Sequence, residues 1–181
     1  MELRPWPELR RERLTKFKVF DVQLATRTSP RTGRDHGFFV VDTLDWVNVV
    51  ARTTAGELVL VRQYRHGTET FTLEIPGGCV DPGEDPADAA AREVREETGY
   101  ASERAPVRLG AVRPNPALFT NSCSTWLIDG CEKVGDLQQD PGEDLEVVTM
   151  PLAEVEALVQ SGGIDHALVL DALYLLHLHE R

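Results

Sequence analysis

The chain has 181 residues, 41% of them hydrophobic, with 19 basic residues against 30 acidic ones and a net charge of −11. That bounds it to one domain of ordinary size with a core of its own and room for a small appendage. The acid excess argues against a nucleic-acid backbone as main partner, which calls for a basic face. No apolar run reaches membrane-span length and the charged N-terminus is no signal peptide, so no membrane partner is expected.

Residues 1–16 are charged and broken by proline, and an irregular or short helical lead is expected there. Residues 16–28 alternate as a strand, 29–33 read as a turn carrying Arg31, and 37–43 read as a second strand. These predict an antiparallel N-terminal hairpin or sheet over residues 1–44, set apart from residues 45–181. Strands follow at 46–53 and 58–64, joined across Ala55-Gly56, and at 71–75. Pro76-Gly77-Gly78 reads as a break. Further strands are expected at 107–112, 124–129 and 145–150, with a proline-rich loop at 113–121 and an acidic loop at 138–144. Pro151 opens a helix that the glycines at 162 and 163 stop, and 164–180 read as a second amphipathic helix. The expected class is α/β, a mixed sheet sandwiched between helices.

The stretch from Gly78 to Tyr100 carries the chemistry. Asp81-Pro82-Gly83 is turn chemistry. Asp85 is a good N-cap, Pro86 fits the first helical position, and Gly99 fits a C-terminal stop. Ala87, Ala90, Ala91 and Val94 recur at helical spacing as a small-residue face. Glu93 and Glu97 share a face, Glu96 lies beside them, and Arg92 offsets Glu96 one turn on. Three carboxylates together suit Mg²⁺ or Mn²⁺ beside substrate phosphates. Three glutamates alone more often make a solvated acidic helix face.

The whole pattern decides between these. G-x5-E-x7-R-E-V-x-E-E-x-G-Y, with Gly78, Glu84, Arg92, Glu93, Glu96, Glu97 and Gly99 at its fixed positions, resembles the Nudix hydrolase box. The resemblance covers roughly residues 45–181 and implies a Nudix α/β/α sandwich. Residues 15–44 resemble the extra N-terminal sheet of the ADP-ribose and nucleoside diphosphate sugar pyrophosphatase branch. In that branch the sheet takes part in a homodimer and contributes to the substrate pocket. Three more features resemble the branch: the approach to the box through residues 61–65 and 73–78, Pro116 sixteen residues after Tyr100, and the acidic Gly142-Glu143-Asp144 segment.

The resemblance implies an enzyme that splits a pyrophosphate with a divalent metal, acting on a small nucleotide sugar. Such a reaction needs charge neutralised on the phosphate oxygens and an activated water. Glu93 and Glu97 are assigned as principal metal ligands, with Glu96 completing the cluster and a backbone carbonyl near Gly77 or Gly78 as a further ligand. Arg92 orients the glutamates, and Glu84 holds Arg92 or reaches a metal through water. Glu143 is the candidate general base or additional ligand. Arg65 and Arg31 are candidates for diphosphate or terminal-sugar contact, Glu74 and Pro116 belong to the expected substrate site, and Phe38, Phe39 and Trp46 are candidates to stack a base. Hydrolysis of nucleoside triphosphates or dinucleoside polyphosphates, and ligand sensing without cleavage, remain as alternative readings. Cys79, Cys123 and Cys131 lack metal-ligand spacing and fit a reduced, cytoplasmic protein; the histidines, His177 and His179 among them, read as surface or helix-end residues.

Overall fold

The computed structural model describes residues 3–138, 142 and 144–181. It divides into two compact units: residues 1–44 with 113–122, and residues 45–112 with 123–181.

In the first unit, β1 (Glu8–Lys16), β2 (Phe20–Thr28) and β3 (Asp35–Thr43) form an antiparallel sheet in that order. β1 replaces the irregular or helical lead expected from the sequence. Its signal is hidden because every residue in it is exposed, so no apolar alternation marks it. Charge pairing holds it instead: Glu8 accepts from Arg11 at 2.7 Å and, across the strands, from Arg27 at 2.6 Å. Such a charged, bulged edge also discourages pairing with other chains. The proline-rich segment lies against β3, where the Val41 N–H donates to the Leu118 carbonyl at 2.8 Å and the Thr120 N–H to the Val41 carbonyl at 3.1 Å.

The second unit holds a mixed sheet. β4 (Trp46–Thr53) pairs parallel with β10 (Cys123–Lys133) and antiparallel with β5 (Glu57–Arg65), which pairs with β11 (Leu145–Pro151). β6 (Thr70–Glu74) returns along β5, β7 (Gly77–Cys79) pairs with the start of β4, β8 (Tyr100–Ala101) and β9 (Val107–Val112) pair with β10. Helix α1 (Pro86–Thr98) covers one face; α2 (Leu152–Ser161) and α3 (Ala167–His179) cover the other.

The period of two along β4 and β5 builds both layers. Val47, Val49, Ala51 and Val59 turn toward Ala89, Ala90 and Val94 of α1. Val50, Leu58 and Leu60 turn the other way, toward Val155 of α2 and Val169, Ala172 and Leu176 of α3. This is the α/β/α sandwich with a mixed sheet, accompanied by the antiparallel N-terminal sheet.

Two details of the second unit differ from the sequence reading. The buried side of α1 includes Ala89 and leaves Ala91 exposed, because Glu97 and Thr98 must turn inward with Val94. Residues 77–79 form a strand, not a break: a side chain at Gly77 would lie 2.3 Å from the Val47 carbonyl, so glycine alone admits this close pairing.

Candidate active site

α1 is fixed at both ends. Asp85 caps it by accepting from the Ala87 N–H at 2.8 Å, and Gly99, at φ 70°, closes it with its N–H on the Arg95 carbonyl. The cap fixes which side chains face β7. The Glu97 carboxylate accepts the Gly77 N–H at 2.9 Å, and Glu97 itself is buried. The Glu93 carboxylate lies against Gly78 so closely that a Cβ there would sit 2.4 Å from its Oε1. Two glutamates one turn apart are therefore pressed against two consecutive glycines.

Arg92 ties the remainder together. Its Nε and Nη2 donate to the two oxygens of Glu84 at 2.9 and 3.0 Å, a bidentate pair. Its Nη1 donates to Glu93 at 2.9 Å and to Glu96 at 3.1 Å, and its Nη2 also reaches the Cys79 carbonyl at 3.0 Å. One guanidinium thus binds the turn before α1, two box glutamates and β7. The bonds from Arg92 hold the Glu84 carboxyl below the ordinary carboxylate value. Burial and the charge of Glu93 push the Cys79 thiol up.

Beside β7 lies a cavity of about 800 Å³, walled by β4 (Trp46, Asn48), the β5–β6 hairpin (Arg65, Thr72, Glu74) and Gly78. Asp165 and His166, just before α3, and Leu168 in its first turn supply another wall. Trp46, Arg65, Glu74 and Gly78 all line this one cavity. Glu74 is 3% exposed there, and its oxygens accept from Arg65 and Thr72. Arg31, Phe39 and Pro116 belong to the first unit. Glu143 lies outside the described residues. His166 was missed, because a single histidine ahead of a helix carries no spacing signal; His177 and His179 do fall in the last turn of α3.

The donors at β7 suit a hard divalent cation. They are carboxylate oxygens of Glu93 and Glu97 at a glycine edge with no side chain to intrude, with Glu96 close by on the Arg92 guanidinium. Among the described residues no three acid, histidine or cysteine side chains converge as a ready-made metal cage. The arrangement of Arg92 explains this: Glu93 and Glu96 turn toward its guanidinium while Glu97 turns to the Gly77 N–H.

Comparison with known proteins agrees with this geometry. The family model described as the NUDIX domain matches residues 43–173. The chain belongs to the Nudix family. It is 32% identical over 139 residues to the ADP-sugar pyrophosphatase of Mus musculus, covering 72% of this chain and 62% of that protein. It is 28% identical over 171 residues to the ADP-ribose pyrophosphatase of Bacillus subtilis strain 168, covering 94% of this chain and 91% of that one. A crystal structure described as an ADP compounds hydrolase superposes with a TM-score of 0.85 at 24% identity, covering 98% of this chain and 95% of its own, and so shares the fold.

Proposed function

We infer that this Nudix protein is a pyrophosphatase acting on ADP-ribose-type substrates. It hydrolyses the pyrophosphate bond of ADP-ribose or another nucleoside diphosphate sugar to give a nucleoside monophosphate and a sugar phosphate. The observation that carries the reading is the set of box glutamates pressed against Gly77 and Gly78 at the edge of a cavity that also presents Arg65. The relatives named as ADP-sugar and ADP-ribose pyrophosphatases support the substrate class.

Nudix hydrolases generally use divalent metal ions; Mg²⁺ or Mn²⁺ is the proposal for this chain, held by Glu93, Glu96 and Glu97 with a backbone carbonyl near Gly78. The bound ion supplies positive charge beside the scissile anhydride and lowers the cost of making a water nucleophilic. Arg92 keeps the carboxylates in place, with Glu84 fixing Arg92 in turn. Arg65 offers its guanidinium to a phosphate oxygen, and Trp46, on the β4 wall of the same cavity, stacks a base. Glu143 is proposed as the base that takes the proton from water. Water adds at one phosphorus, the bridging P–O bond breaks, and the departing phosphate carries the electron pair away as its new negative charge.

Arg31, Phe39 and Pro116 are proposed to contribute to substrate binding in a homodimer. Exposed Trp6, Phe38 and Phe39 of the first unit support a pairing role, since aromatic side chains are enriched at interfaces. Sedimentation equilibrium at micromolar concentration should give twice the chain mass; a monomer would refute the dimer. The cytoplasm is the proposed compartment, a reading supported by Cys79, Cys123 and Cys131 all being free thiols. Among the described residues no helix is long and apolar enough to cross a membrane.

The test of function is a panel with Mg²⁺: ADP-ribose, ADP-glucose, UDP-glucose, GDP-mannose, NADH, a diadenosine polyphosphate and dGTP. Released phosphate is read after phosphatase coupling, beside Glu97→Gln. Turnover of the sugar diphosphates, lost in the variant, is expected. Turnover of triphosphates or polyphosphates alone would overturn the substrate class, and silence across the panel would overturn the enzyme.

A further inference from the structure

We propose that Glu74 is a positioning residue: it locks the guanidinium of Arg65 so that its unused edge is presented to the substrate diphosphate. This deepens the function proposed above and rests on it.

Arg65 ends β5 opposite Thr70, and Glu74 ends β6 opposite Val61, on the same face of the hairpin, so the arginine side chain runs back along the strands to reach the carboxylate. Their contact is a two-bond fork: Arg65 Nε donates to Oε1 at 2.8 Å and Nη2 to Oε2 at 2.7 Å. Thr72 donates to Oε1 at 2.6 Å, which fixes the carboxylate from a second side. His166 brings its Nε2 to 3.9 Å from Oε2, the oxygen with capacity to spare. Glu74 is thus held from β5 and β6, with His166 of the segment before α3 close by.

The two partners differ in exposure. The Glu74 side chain is 4% exposed and that of Arg65 is 46% exposed and lines the cavity. The fork uses only Nε and Nη2, and among the described residues Nη1 has no hydrogen-bond partner. A planar guanidinium held along one edge can move only with its partner, so the direction of Nη1 is set before any ligand arrives. Burial pushes the Glu74 carboxyl up, but the bonds from Arg65 and Thr72 more than offset it and hold the carboxyl below its ordinary value. A buried ion pair is weak evidence of a stabilising role, since well-packed apolar side chains often replace such a pair at no loss. A fixed donor at a cavity wall has a use, because ordering a long flexible arginine at the moment of binding weakens affinity.

A double-mutant cycle on kcat/KM for ADP-ribose tests this, using Arg65→Ala, Glu74→Gln and the double variant. Glu74→Gln preserves volume and removes the charge, and a fall of about tenfold is expected, the cost of reordering one long side chain. The double variant should be no worse than Arg65→Ala. Arg65→Lys keeps the cation but loses the fork, and it should fall as far as Glu74→Gln. That variant leaves the buried carboxylate intact, so it serves where Glu74→Gln folds poorly. Additive losses, full activity in Glu74→Gln, or full activity in Arg65→Lys would each overturn the proposal. A wild type with no turnover of ADP-ribose would overturn the proposed function as well, whereas an active wild type with an unaffected Glu74→Gln would overturn only the role of Glu74.

Discussion

Gly78→Ala should fold as the wild type does and lose about a hundredfold in kcat/KM, the typical cost of misplacing a reacting group by an ångström. The new Cβ would meet the Glu93 carboxyl carbon at 2.5 Å and its oxygens at 2.4 and 2.8 Å. Those atoms are the far end of a flexible side chain, so Glu93 gives way and the backbone does not. Its hydrogen bond to Arg92 is partly buried, but Arg92 keeps Glu84 and Glu96, so the stability change should be about 1 kcal/mol. Gly77→Ala is the contrast. There the Cβ would meet the Val47 carbonyl at 2.3 Å and the Asn48 Cα at 3.2 Å, both backbone atoms of a central strand. Neither can move alone, so the pairing of β7 with β4 must open, at about 3 kcal/mol for a forced overpacking. Urea denaturation read beside Mg²⁺-dependent turnover separates the two. A stable and fully active Gly78→Ala would mean that Glu93 need not sit against β7 for catalysis.

The parts of the fold that were legible share one property: each has a local cause. Asp85, Pro86 and Gly99 mark the ends of α1 because caps act through neighbouring backbone groups, and those ends are found as expected. The alternation of β4 and β5 shows which side chains enter which layer. β1 was illegible for the opposite reason, since it is held by its ladder with β2 and by Arg27 across the strands, and nothing within residues 8–16 announces those partners. The same holds at the site. The fixed spacing of the box placed Glu93 and Glu97 on one face of a helix, and Arg92 and Glu84 in reach of one another. The burial of Glu74 and the approach of His166 depend on a hairpin and a distant helix meeting, which no local pattern encodes.

Arg92→Ala should cost both activity and stability, and the two losses should respond differently to pH. Removal of Arg92 leaves Glu84, Glu93 and Glu96 without their shared donor and frees the Cys79 carbonyl. Charge-assisted bonds at a half-buried site point to about 2 kcal/mol of lost stability. Groups that orient metal ligands typically carry 10- to 100-fold in metal affinity or activity, so the Mg²⁺ needed for half-maximal rate should rise by about that factor. Arg92→Lys should recover little, because one ammonium cannot reach four acceptors in a plane. The pH response follows from Glu84, whose folded carboxyl lies below its ordinary value of 4.5. Its contribution is complete above that value and is lost as pH falls through the lower folded one. The stability gap between wild type and Arg92→Ala should therefore be widest near neutrality and narrow on acidification below about pH 4. A gap that stays constant to pH 3 in thermal melts would show that Arg92 stabilises the protein by packing and not by its charge.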